Sequence, residues 1–145
     1  EKTKAENTME GYAYFLDKYS YSKYIENAIL LRNKLAYELA QSENTAKAYL
    51  EFIEIYPNAD QIEMARENYE IRLFEESTSI SRVEDYALFL LEHPDSPYRN
   101  KAEDQLYLLS TESGDLVDFL LFIRNYPDNP HYSEAWKHVY EIQTE

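Results

Sequence analysis

Tyr49-Leu50-Glu51-Phe52-Ile53-Glu54-Ile55-Tyr56-Pro57 is the stretch whose reading decides the fold. Tyr49, Phe52, Ile53 and Tyr56 stand at i, i+3, i+4 and i+7, one stripe of a 3.6-residue period, and a proline closes the run. The pattern returns at Tyr86, Phe89, Leu90, His93 and Pro94, and at Phe119, Phe122, Ile123, Tyr126 and Pro127. Tyr12, Phe15, Leu16 and Tyr19 form an earlier copy that has Ser20 in place of the proline. The four central phenylalanines, Phe15, Phe52, Phe89 and Phe122, are spaced 37, 37 and 33 residues apart. Nine residues beyond the last aromatic of each copy stands an alanine: Ala28, Ala65, Ala102 and Ala135. A self-similar period of this length marks a repeat architecture, in which each small unit buries its apolar face by stacking on its neighbours.

Punctuation around the stripes supports helical hairpins. Pro57, Pro94, Pro97, Pro127 and Pro130 follow the last aromatic of a copy directly or by a few residues, where they end one helix and can open the next. Ser96-Pro97 and Asn129-Pro130 read as an N-cap followed by the first helical residue, with Ser22 the corresponding cap in the first copy. Glu6-Asn7-Thr8 recurs as Glu43-Asn44-Thr45, and Ser81 occupies the Asn column with Glu84 three residues on, the spacing of a capping box. Asn7 with Glu10 reads as a variant of it, and Gly114-Asp115 as a turn and cap in the shortened fourth copy. The spacing predicts eight helices over about 8–19, 22–40, 45–56, 60–76, 82–93, 97–111, 115–126 and 130–143. The expected class is all-α: an α-solenoid of about four helix-turn-helix repeats near 7–41, 42–78, 79–112 and 113–145, within one domain spanning 1–145.

Composition narrows the function. The chain has 145 residues, 44% of them hydrophobic and 15% aromatic, with fifteen tyrosines, which suffices for a core. Residues 1–75 carry 9 basic and 14 acidic groups and residues 76–145 carry 5 and 14, so the net charge of −14 is spread along the chain. Such a surface repels nucleic acid and suits a solvated exterior or a partner with a basic segment. Absence of cysteine excludes disulfides, thiolate metal sites and cysteine nucleophiles. No apolar run approaches the length of a membrane span. The chain begins at Glu1 without an initiator Met and is read as a piece of a longer protein.

The quoted residues resemble degenerate tetratricopeptide repeats of the Y-x-x-F-[LI]-x-x-Y-P variety that is common in bacterial envelope proteins. The resemblance implies a right-handed superhelix, a periplasmic or cell-envelope location, and partner binding on the helix after each proline turn. Transferred position by position, it places Lys34, Glu67, Ile71, Phe74, Asp104, Leu108 and Lys137 on a concave face that would take a peptide; with a shifted register, some of these are ordinary seam positions. The period of 37 exceeds the family's usual 34, and Tyr69-Glu70, Leu106-Tyr107 and Val139-Tyr140 stand where the family has a Leu-Gly pair. Bulky residues there would spread the two helices of a hairpin.

Glu38, Glu75, Glu112 and Glu145 share one register and read either as an acidic strip for a partner's Lys or Arg, or as solvated helix ends. His131 and His138 are seven residues apart, without the i, i+4 spacing of a chelating pair, so no metal site is assigned. The chain lacks a glycine-rich phosphate loop, a Gly-x-Ser-x-Gly elbow and a His-Glu-x-x-His motif, and no catalytic residue or cofactor is assigned. The expected function is a non-catalytic protein-protein interaction scaffold. A structural spacer, an oligomerisation module and a regulatory arm of a larger protein are the alternatives.

Overall fold

The computed structural model describes residues 6–145. Among these residues the chain is helical, with eight helices: α1 Met9–Lys18, α2 Ile25–Glu43, α3 Ala46–Ile55, α4 Ile62–Ser77, α5 Val83–Glu92, α6 Arg99–Ser110, α7 Leu116–Asn125 and α8 Tyr132–Thr144. They match the eight predicted segments, most ends lying within two residues; α2 starts three residues later than predicted and ends three later. Packing forms two compact units, the first ending at Leu73 and the second running from Phe74 to Glu145.

The predicted caps Asn7, Asn44 and Ser81 lie one residue before the true caps, Ser22, Ser96 and Asn129 lie two before, and Asp115 stands at the cap position itself. Asn7, Asn44 and Ser81 have φ of 43°, 52° and 57°, and Gly114 has φ of 76°. The column read as caps is therefore the left-handed turn residue that precedes each cap. Asparagine tolerates this conformation better than other residues with a side chain, and glycine adopts it freely. The caps are the next residues. Thr8 Oγ1 accepts from Gly11 N at 3.0 Å and Thr45 Oγ1 from Ala48 N at 3.1 Å. Arg82 follows Ser81, so Asp85 rather than Glu84 reaches back, accepting from Arg82 N at 3.3 Å. The Arg82 guanidinium holds the Asp85 carboxyl below the usual carboxylate range. Asp115 occupies the cap position of α7 without a side-chain capping bond.

Ser22, Ser96 and Asn129 accept from the amides of Tyr24, Tyr98 and His131, two residues on, at 3.1, 3.1 and 2.9 Å. Each opens a single i to i+3 turn, after which the α-helix begins, so Pro97 and Pro130 lie in that turn and not at the first helical residue. The turn shifts the start of α2, α6 and α8 by about two residues.

In the first unit, α1 packs on α2 and α2 on α3. Its core gathers Ala36, Tyr37, Ala40, Ala48, Tyr49, Phe52, Ala59 and Ala65, with Ile53, Tyr56 and Tyr69 against it. The turn asparagines take part: Tyr12 and Tyr49 donate their buried phenols to Asn7 and Asn44 Oδ1 at 2.7 and 3.0 Å. Asn44→Ala puts a residue without a compensating side chain into left-handed backbone and orphans the Tyr49 hydroxyl. We expect a loss of about 2 kcal/mol in urea unfolding, and about half that for Asn44→Gly, which relieves only the backbone part.

In the second unit, α5 packs on α6, α6 on α7 and α7 on α8. Phe74 lies edge-on to Phe89 at 5.2 Å and stacks on Tyr98 at 5.1 Å; Tyr107 meets Phe122 at 5.0 Å. The repeated columns are core columns. Ala65, Ala102 and Ala135 are fully buried, as are Phe89 and Phe122, whereas Phe15 is half-buried.

Candidate functional site

The first unit carries an open cleft of about 180 Å³ between the start of α1, the last two turns of α2 and the length of α3. Met9, Ala36, Leu39, Ala40, Ala48, Phe52, Ile55 and Tyr56 line it, with Glu43 and Glu51. Local structure explains the hollow. Ala36, Ala40 and Ala48 are buried residues with small side chains, so α2 and α3 approach closely while leaving space above them. Leu39 and Ile55 remain 49% and 64% exposed at its edges.

Electrostatics give the cleft a sign. Glu43 is the last residue of α2, and α2 ends in the left-handed Asn44, whose amide bonds Ala40 O at 2.8 Å. The C-terminal end of a helix carries partial negative charge, so a carboxylate there is poorly placed for its own helix and well placed for an incoming cation. Glu51, on α3, lines the same cleft. The site offers apolar area with two negative charges, a combination that receives an apolar side chain next to a lysine or arginine.

Neither the cleft's outer residues nor its acids lay among the residues expected to bind a partner. For Ile55 and Glu51 the signal in the sequence is a departure from the repeat columns, whereas Glu43 repeats Glu6. Ile55 stands where the other copies have Lys18, Glu92 and Asn125, and Glu51 where they have Tyr14, Leu88 and Leu121.

The expected concave-face residues do not share one environment. Lys34 is exposed on α2, 4.0 Å from Glu38; Glu67 is exposed and Ile71 half-buried on α4. Phe74 is a correction: at 6% exposure it is a core residue, enclosed by Tyr86, Phe89 and Tyr98, with the Lys101 ammonium 5.4 Å from its ring centre. Asp104 and Leu108 are exposed on α6 and Lys137 on α8, where it lies 3.9 Å from Glu141. Of the glutamate column, Glu38 lies inside α2, which runs on to Glu43, so it is not at a helix end; Glu75 and Glu112 are exposed.

Asp104 takes part in a second polar cluster. His131, at the start of α8, bonds Asp104 through Nε2 at 2.6 Å and Glu134 through Nδ1 at 2.7 Å. Its ring lies flat on Tyr107, 4.5 Å between centres and 2° from parallel. Burial alone would lower the His131 pKa, but the two carboxylates outweigh it and raise the value above the ordinary one. A neutral imidazole has one N–H and can donate to one carboxylate only, so the doubly bonded arrangement belongs to the imidazolium. The cluster ties α8 to α6. His138 stacks on Phe119 at 5.0 Å, apart from that arrangement. Among the described residues no group of three or more His, Asp or Glu is placed to hold a metal ion. No helix among them is long and apolar enough to cross a membrane.

Comparison with protein-family models and with curated proteins finds no match for this chain.

Proposed function

We propose that this chain is a non-catalytic protein-interaction scaffold whose α1–α2–α3 cleft takes an apolar segment bearing lysine or arginine from a protein partner. The observation that carries the reading is the cleft itself, an apolar hollow with Glu43 and Glu51 at its margin. The net charge of −14 supports it by attracting basic segments at long range. The tetratricopeptide-like columns extend the reading to stacked helical hairpins forming a solenoid, and the same resemblance suggests the bacterial envelope as its setting.

A fluorescently labelled helical peptide with leucines at i, i+3 and i+7 and lysines between them provides the test. Fluorescence anisotropy should show saturable binding that weakens with added salt. Glu43→Lys with Glu51→Lys should weaken it at least tenfold, and Ile55→Asp likewise, while circular dichroism stays unchanged. Equal binding by the parent and all of these variants would overturn the assignment of the cleft.

A further inference from the structure

The link between α1 and α2 gathers outward tyrosines around two lysines. Lys18-Tyr19-Ser20-Tyr21-Ser22-Lys23-Tyr24 contains two lysines and no acid. Its tyrosines are turned outward: Tyr19 and Tyr24 are about half exposed, and Tyr21 is fully exposed at 102%. Tyr14, one turn before Lys18, is exposed too and accepts a 2.7 Å hydrogen bond from Lys18 Nζ. The Lys18 ammonium lies 5.2 Å from the Tyr14 ring centre, and the Lys23 ammonium 5.0 Å from that of Tyr24. Exposed tyrosine costs hydrophobic area to water, and a surface that gathers four of them around two lysines is built for contact. Tyrosine and serine in alternation are what binding loops use: tyrosine supplies large, rigid, amphipathic area at low entropic cost, and serine supplies adaptable hydrogen bonding.

The same unit holds the complement. The cleft offers an apolar floor and two carboxylates; the loop offers aromatic rings and two ammonium groups. Within one molecule Glu43 is beyond the reach of the loop: the loop precedes Ile25, the first residue of α2, whereas Glu43 is its last, and at 1.5 Å per residue about 27 Å of helix separates them.

We propose that the Tyr19–Tyr24 loop of one copy of this chain docks into the α1–α2–α3 cleft of a second copy, Tyr21 entering the hollow and Lys23 approaching Glu43 and Glu51. The inference rests on the cleft being a binding site and names its occupant. Because the contact joins two different surfaces, each copy keeps a free loop and a free cleft, and association proceeds head to tail.

Sedimentation velocity on the chain at rising concentration, in about 0.15 M salt to screen the repulsion between copies that each carry a net charge of −14, tests it. The weight-average mass should rise with concentration, and Lys23→Glu or Glu43→Lys alone should weaken association at least tenfold. An equimolar mixture of the two variants should recover it, since the unchanged loop of the Glu43→Lys protein meets the unchanged cleft of the Lys23→Glu protein. Tyr21→Ala, at a fully exposed position, should weaken association without altering the circular dichroism. A parent that stays monomeric throughout, or single variants that associate as the parent does, would overturn the proposal. If the parent is monomeric yet the lysine-leucine peptide binds the cleft, self-docking falls and the binding site stands; if neither associates, both fall.

Discussion

Phe89→Ala is expected to destabilise the chain by about 3–5 kcal/mol, read as a lowered urea midpoint with an unchanged slope. Phe89 is 1% exposed, lies edge-on to Phe74 at 5.2 Å, and has the His93 ring 5.3 Å away. Truncation removes a whole aromatic ring and leaves a hollow that Phe74, held on α4, and His93, fixed at the end of α5, can fill only in part. A loss of this size is a large share of the 5–15 kcal/mol that typically stabilises a domain. Leu91→Ala is the control. Leu91 is two residues along α5 and 78% exposed, and its replacement should change the midpoint by about 0.5 kcal/mol or less. Similar costs for the two substitutions would refute the assignment of the phenylalanine column to the core.

The second large effect depends on pH. His131→Gln should cost about 1–2 kcal/mol at pH 6, a figure reduced from that of buried charged hydrogen bonds because Asp104 and Glu134 are more than half exposed. The folded-state pKa of His131 is raised, so its contribution is fully present below the ordinary histidine value near 6.5 and is lost as pH rises through the raised value. Above that point the ring keeps one of its two carboxylate bonds. The stability difference between parent and His131→Gln, measured by urea unfolding at intervals from pH 6 to pH 9, should therefore shrink as pH rises. A difference that is flat or grows over that interval would refute the imidazolium bridge.

Much of the helical architecture could be read in the sequence because it depends on short-range geometry. Tyr49, Phe52, Ile53 and Tyr56 lie on one helix face whatever they pack against, and Pro57 must interrupt the helix. The alanine column was legible as a repeated residue, and Ala65, Ala102 and Ala135 are fully buried. Cap positions were legible to within two residues. Asn44 can cap a helix or turn left-handed, and the choice depends on how α2 ends as well as on how α3 begins. With α2 continuing to Glu43, Asn44 must reverse the chain, and Thr45 becomes the cap.

The candidate site was legible only in part. Ile55 and Glu51 break their columns, but a single departure does not say what lies beside it. Leu39 and Met9 join them through the packing of α1 and α3 on the end of α2. His131 and Asp104, 27 residues apart, meet because α6 and α8 bring them within 2.6 Å. Phe74, expected on an open face, turns into the core because Tyr86, Phe89 and Tyr98 close around it.

The sequence by itself determined the all-α class, the number and approximate limits of the helices, the aromatic and alanine columns and the acidic character, since backbone periodicity, proline chemistry and charge act over a few residues or add without regard to fold. Only the tertiary structure decided which side chains face one another: the Glu43–Glu51 cleft, the His131 bridge and the outward tyrosines of the α1–α2 link. Those outcomes depend on how closely particular helices approach, and that distance is set by the combined shapes of side chains far apart in the chain.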